Sequence, residues 1–365
     1  MGRRLKRPLG ALAALVTLLV ASAAWPTPQA GPASYAGLDL GPVAERHVYW
    51  VGHSLMSSRD PAAPEGPNVI ETVGALADAA GLAYSAFDHT LWGSSLSLAY
   101  RGRSHAGREE PELAARRSAL QSGHYDTLVL TDTVPIDAAR RYEGSAYYAA
   151  RFACEARARV PDARVYLYES WVGLQGVGEP VAPNAWDWRS RLEDERRGYE
   201  ALADEVSAGG LAEPGWLGRW TRWWDTTCRP GTVFLVPVGT AFRALSDDLE
   251  DPSWERPEGT RVRLHDFFAN PYVDWPEEWP SEGLEPSAVR ARVAELTLRH
   301  DDREVDDVHP SALGIYFVGL VHFATLFRRS PEGLPAPELL LDHEARRLQH
   351  LVWDVVRNDP RAGVR

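Results

Sequence analysis

The chain has 365 residues, 44% of them hydrophobic, and a formal net charge of -12. That apolar content supports one large soluble globular domain, although length alone allows two. The acidic balance argues against nucleic acid or anionic lipid as a main partner.

Met1 to Ala24 reads as a secretory signal. Arg3, Arg4, Lys6 and Arg7 form its basic end, Leu9 to Val20 its apolar stretch, and Ala21-Ser22-Ala23 a small-residue cleavage site. An uncleaved anchor is the rival reading. Removal takes away four basic residues and no acids, leaving the mature chain at -16. No other stretch is long and apolar enough to span a bilayer, so the expected product is periplasmic or secreted, without stable membrane insertion. Residues 25–45 are rich in Pro, Ala and Gly and read as a flexible lead-in.

Val48 to Val51 is a short apolar, β-branched and aromatic run, the mark of a buried strand. It stops at Gly52, where a small residue lets the chain turn sharply. Ser54 follows at the strand's carboxyl end, the edge where open α/β sheets bind ligands. Prolines 61, 64 and 67 then mark a loop, and Asn68 with Glu71 has the spacing of a capping box. Val69, Val73 and Leu76 give the following helix an apolar face, and Gly81 ends it. Tyr84 to Phe87 reads as a weak strand and Tyr125 to Leu130 as a strong one, while His89 and His124 read as structural or surface residues.

Ala138 to Val160 reads as a helix and Ala163 to Tyr168 as a strand, with Glu169, Ser170 and Trp171 at its carboxyl end, near Ser54. Residues 172–230 look like an insertion, helical around Trp188 to Val206. Trp186, Trp188, Trp216, Trp220, Trp223 and Trp224 in it either fill a core or stack on ligand faces. Thr232 to Gly239 is the last strong strand, and residues 246–285 read as a long acidic loop carrying Trp254, Trp275 and Trp279. Residues 337–358 suit an amphipathic closing helix, apolar at Leu341, Leu348, Leu351, Val352 and Val355.

Near the far end, Asp306-Asp307-Val308-His309-Pro310 holds an Asp-x-x-His followed by proline. Pro310 suits the first turn of a helix, and Leu313, Phe317, Leu320, Val321 and Ala324 recur at helical spacing behind it. Asp306 and His309 are thus expected in a turn before a buried helix. A serine nucleophile needs a base, and the base needs a third group to fix its tautomer. Ser54, His309 and Asp306 can fill those roles.

Gly52-His53-Ser54-Leu55 together with Asp306-x-x-His309-Pro310 resembles the SGNH (GDSL-type) hydrolases. The resemblance implies a three-layer α/β/α sandwich with a mostly parallel, flavodoxin-like sheet and loop and helical insertions. It places the hydrolase domain at 46–330, with insertions at about 172–230 and 246–285, and a C-terminal closing helix and tail at 331–365. It implies an oxyanion hole from the backbone of Ser54 and from Gly93. Two departures stand out. His53 replaces the family's usual aspartate, and Thr131-Asp132-Thr133-Val134 replaces its Gly-x-Asn-Asp. An ionised Asp132 cannot donate to an oxyanion, whereas a hydroxyl of Thr131 or Thr133 can.

The resemblance implies a serine esterase, expected without cofactor or metal; the substrate is expected to be a small-molecule or carbohydrate ester, the secreted location and many tryptophans leaning towards carbohydrate. An O-acyltransferase on the same triad and a non-catalytic carbohydrate-binding protein are the alternatives. Asp301, Asp302, Glu304, Asp306 and Asp307 offer oxygens to calcium but lack a glycine-containing loop of the EF-hand type. Cys154 and Cys228 either pair in an exported chain or remain buried thiols.

Overall fold

A computed structural model describes Tyr35 and residues 40–103, 112–174, 187–209, 211, 213, 230–257, 259–270 and 306–364. Its centre is a five-stranded parallel sheet. The strands are β1 (Glu45–Gly52), β2 (Ala83–Thr90), β3 (Thr127–Leu130), β4 (Arg164–Tyr168) and β5 (Val233–Val236). Their spatial order is β2-β1-β3-β4-β5. The order reverses between β1 and β3, so their carboxyl ends flank the crevice where a sheet of this topology binds ligands.

Period-2 alternation along the strands sends side chains into two cores. Val48, Trp50, Val129, Tyr166, Tyr168, Phe234 and Val236 lie in one. It is covered by α2 (Val69–Ala79), α7 (Val238–Asp248), α8 (Ala312–Phe327) and α9 (Asp342–Asn358). Tyr49, Val51, Leu128, Leu130, Val165, Leu167, Val233 and Leu235 lie in the other. Among the helices on this side are α3 (Leu96–Arg101), α4 (Leu113–Leu120) and α5 (Ser145–Arg157). The expected three-layer α/β/α architecture is what the chain adopts. Nearly continuous apolar strands are what a parallel sheet covered on both faces requires.

Helix α6 (Trp188–Ala208) bridges the layers at the β5 edge. Its first turns put Trp188 and Leu192 in the first core, and its later turns put Tyr199, Leu202 and Val206 in the second. Trp188 therefore fills a core; the other five tryptophans expected in that insertion lie outside the described residues. Two distant segments close the rest of that edge. The Tyr35 hydroxyl donates to the Val233 carbonyl at 2.7 Å. The Leu235 N–H donates to the Arg361 carbonyl at 2.9 Å. Covering an edge strand in this way blocks pairing with another chain.

Several local expectations change. The 138–160 helix is broken: a π-turn covers Ala139–Glu143, Gly144 takes φ +74°, and α5 starts only at Ser145. Trp254 is core, not a loop aromatic, and residues up to Asp248 belong to α7. Trp275 and Trp279 lie outside the described residues. The buried seam of α9 is Ala345, Leu348, Val352 and Val356, whereas Leu341 is exposed. Tyr35, in the expected lead-in, is buried against Phe234. The signal segment lies outside the described residues. Among those described, no helix is long and apolar enough to cross a membrane. Cys154 is in a disulfide, and the chain's other cysteine, Cys228, lies outside the described residues.

Candidate active site

β1 delivers the chain to Gly52 inside the sheet, and α1 (Ser54–Ser57) starts two residues later. A methyl group on Gly52 would lie 2.6 Å from the Thr131 methyl carbon and 2.8 Å from the Met56 sulfur. The close approach of β3 and α1 therefore needs glycine here; its φ is not positive. His53 is the N-cap of α1 and fully buried. Its Nε2 lies 2.9 Å from the Asp132 carbonyl oxygen, tying the Ser54 turn to the end of β3. Burial pushes the His53 pKa down to about 4, so this ring is neutral and donates from Nε2.

His309 lies in β7 (Asp306–Pro310), which pairs antiparallel with β6 (Phe268–Asn270). This corrects the expected turn. Pro310 ends the strand instead of opening the helix. Ser311 is the N-cap of α8, accepting from the Gly314 N–H. The other side of β7 is held by the segment after β4. The Trp171 indole donates to the Val308 carbonyl at 2.9 Å, and the Leu174 N–H to the Asp307 carbonyl at 3.0 Å.

The geometry at the meeting point is compact. Ser54 Oγ lies 2.7 Å from His309 Nε2. His309 Nδ1 lies 2.8 Å from Asp306 Oδ2 and 2.9 Å from Oδ1. The His309 backbone N–H also donates to Asp306 Oδ1 at 2.9 Å, which locks the carboxylate within its own turn of chain. Burial raises the Asp306 pKa, but the hydrogen bonds from His309 outweigh it and hold the carboxyl below its ordinary range. An ionised Asp306 accepts the Nδ1 proton, leaving Nε2 as the acceptor that faces Ser54.

The expected oxyanion donors lie on three loops, which follow the carboxyl ends of β1, β2 and β3. The backbone N–H groups of Ser54 and Gly93 make no hydrogen bond to a described residue. Gly93 takes φ +62° in an exposed turn after β2. Asp132 is wholly buried and accepts from the N–H groups of Leu96 at 3.1 Å and Thr133 at 2.8 Å. It therefore anchors the Gly93 loop to the end of β3, and burial raises its pKa. Thr131 is committed elsewhere: its hydroxyl meets the Tyr168 carbonyl at 3.0 Å and the Tyr199 hydroxyl at 3.1 Å. Thr133 is half-buried, and its hydroxyl meets no described group.

Glu169 and Ser170, expected near Ser54, point away from it. Glu169 is buried among Thr240, Arg196 and Gly239. Ser170 meets the Tyr199 hydroxyl at 2.8 Å. His89 is structural, 2.8 Å from the Tyr49 hydroxyl. No group of three or more metal-ligating side chains occurs among the described residues, and Asp301 to Glu304 lie outside them. One neighbour escaped the sequence reading altogether. Trp92 is 64% exposed and stacks on His309, with ring centroids 6.0 Å apart. Its exposure is a tertiary property, without a local sequence mark.

No family model matches the chain, and no curated protein matches it. Among solved structures it is similar to a DUF4886 family protein from Bacteroides uniformis, at 11% identity and a TM-score of 0.40, covering 86% of this chain and 95% of that one. It is also similar to TesA, at 14% identity and a TM-score of 0.27, covering 70% of this chain and 97% of that one. Likenesses of this size carry no functional argument; the side-chain geometry does.

Proposed function

We propose that the protein is an exported serine ester hydrolase of the SGNH type, which removes an acyl group from an O-acylated carbohydrate or a similar small ester. The observation that carries this reading is the unbroken Ser54–His309–Asp306 chain of contacts, at 2.7 and 2.8 Å, at the switch point of the sheet. Ser54 Oγ attacks the acyl carbonyl carbon as His309 Nε2 takes its proton. Asp306 orients the ring and stabilises the imidazolium. The negative oxygen is received by the N–H groups of Ser54 and Gly93, with the Thr133 hydroxyl as a third donor. Collapse breaks the ester C–O bond, and the departing alkoxide takes the proton from His309. Water then repeats the sequence on the acyl-enzyme, releasing the acid and free Ser54.

The carbohydrate preference rests on the export reading and the tryptophan-rich sequence. The test is mass spectrometry after treatment with a fluorophosphonate probe. A single adduct on the peptide containing Ser54, absent in Ser54→Ala, is the expected result. An unlabelled, folded protein would overturn the hydrolase reading in favour of a binding module.

A further inference from the structure

Trp50, Trp171, Trp188 and Trp254 are buried, and each indole N–H donates to a partner at 2.9 to 3.0 Å. Trp92 differs on both counts: it is exposed, and its N–H meets no described group. An exposed indole leaves apolar surface in water, so folding alone does not account for its position. Its loop is nevertheless pinned on both sides. The Leu91 N–H donates to the Gly52 carbonyl at 2.9 Å, and the Ser94 N–H to the Leu91 carbonyl at 3.1 Å. Asp132 holds the Leu96 N–H beyond it. The outcome is an indole lying 23° from parallel to the His309 ring.

We infer that Trp92 is a positioning residue for His309, its indole face holding the imidazole toward Ser54 and favouring the imidazolium that forms when Nε2 takes the serine proton. The inference rests on the ester-hydrolase reading. An indole face attracts a cation within about 6 Å through its quadrupole and attracts a neutral ring less. The contact is therefore stronger in the transition state than in the resting enzyme, which is the condition for accelerating the reaction. The other groups facing His309 are few among the described residues. Asp306 holds Nδ1, and Ser54 meets Nε2. His53 stays uncharged at neutral pH because burial pushes its pKa to about 4. Asp307, next in the chain, packs its carboxylate against Gly173. The ring thus has one carboxylate at its edge and one π face beside it.

Trp92→Leu removes the π face and keeps an apolar side chain; Trp92→Phe keeps a π face. With an aryl acetate as substrate, Trp92→Leu is expected to lower plateau kcat/KM roughly two- to fivefold. It is also expected to move the acid limb of the pH profile to lower pH, because the imidazolium loses a stabilising neighbour. Trp92→Phe should restore most of both. A merely structural residue would lower the plateau without moving the limb. NMR titration of the His309 ring in Ser54→Ala protein, with and without Trp92→Leu, reads the same contact without turnover. An unmoved titration overturns the Trp92 assignment whether or not esters are cleaved. A moved titration in a protein that cleaves no ester keeps the contact and discards the hydrolase reading. Trp92→Gln, polar at an exposed site, replaces the leucine variant if that one fails to fold.

Discussion

Ser54 sits between an eight-residue strand and a one-turn helix, and its turn is closed by neighbours in sequence: Met56 N–H to the His53 carbonyl and Ser58 N–H to the Ser54 carbonyl. His309 sits in a short strand whose partners come from far away, Trp171 and Leu174 on one side and Phe268 to Asn270 on the other. The two halves of the site therefore differ in how they are specified. The serine is placed mainly by its own turn, at the carboxyl end of β1. The histidine is placed by three segments that must first come together. Damage far from the site should reach His309 before it reaches Ser54.

The sharpest test removes the groups themselves. If Ser54 and His309 act as one unit, each alanine substitution should lower esterase activity by about 10³-fold or more, and the double variant should be little worse. Additive losses would mean that the 2.7 Å contact is incidental to the reaction. Asp306→Ala should cost less, because it orients and stabilises the ring without touching substrate. Asp307→Ala is the control; its side chain faces Gly173, so activity should stay within a fewfold of the parent. Thermal unfolding of every variant separates lost chemistry from lost fold.

Two glycine substitutions probe the comparison at the next level. A methyl group on Gly314 would lie 2.0 Å from the Phe267 carbonyl oxygen, a backbone atom of the segment that leads into β6. At Gly52 the obstacles are the Thr131 methyl carbon at 2.6 Å and the Met56 sulfur at 2.8 Å, one of them on a flexible side chain. Gly314→Ala should therefore destabilise more, by about 2–3 kcal/mol, because a helix must move away from backbone. Gly52→Ala should cost less, about 1–2 kcal/mol, as the Met56 side chain swings aside and the Thr131 methyl gives way. Denaturant midpoints decide; the reverse order would show that the Ser54 turn is the less forgiving half.

The same contrast explains what could be read in the sequence. The apolar runs 48–51, 125–130, 163–168 and 232–239 became β1, β3, β4 and β5 because a sheet covered on both faces demands them. The Asn68–Glu71 capping box formed as spaced. Ser54, His309 and Asp306 were readable because each occupies a short motif. β7 was not, since Asp306-Asp307-Val308-His309-Pro310 has one aliphatic residue and owes its extended form to partners far away in sequence, Asn270 and Phe268 on one side and Trp171 on the other. The helix start was misplaced at Pro310; Ser311 is the cap, and a serine cap before an apolar run outranks a proline. The break before α5 was hidden because alanine and arginine suit a helix as well as a π-turn, and only Gly144 marks it. Trp92 carried no mark at all.

Acid should separate the two halves by pH. His53 has an ordinary value of 6.5 and a folded value pushed down to about 4 by burial. The unfolded chain therefore binds a proton that the folded chain refuses between those values, and stability is lost as pH falls from 6.5 to about 4. His322, also pushed to about 4 by burial, and His89, pushed to about 3, add to the same loss. His53→Asn should make the decline shallower by about 1–3 kcal/mol across that window. Asp306, held below the ordinary carboxylate range, acts in the opposite sense: its contribution is complete above that range and disappears only as pH falls through its lower folded value. Asp306→Asn should leave the slope above pH 4 unchanged. Chemical denaturation at half-unit pH steps measures both; an unchanged slope in His53→Asn would show that the Ser54 turn tolerates a charged ring.

One further residue joins the two halves outside the Ser54–His309 contact. Asp60, six residues after Ser54, accepts from the Ala62 N–H at 2.8 Å with Oδ1 and from the Ala312 N–H at 2.8 Å with Oδ2. Ala312 opens α8, so its N–H has no partner within the helix, and a carboxylate there also meets the positive end of the helix dipole. Asp60→Ala leaves both donors without this acceptor and should cost about 1–2 kcal/mol of stability. Asp60→Asn keeps an acceptor for the helix and should cost about half as much. Activity should fall less than tenfold, and in kcat instead of KM, because the link sets how β7 meets α1 and not how substrate binds. Equal stability in the parent and both variants would show that α8 is held by the Phe267 and Ser311 contacts alone.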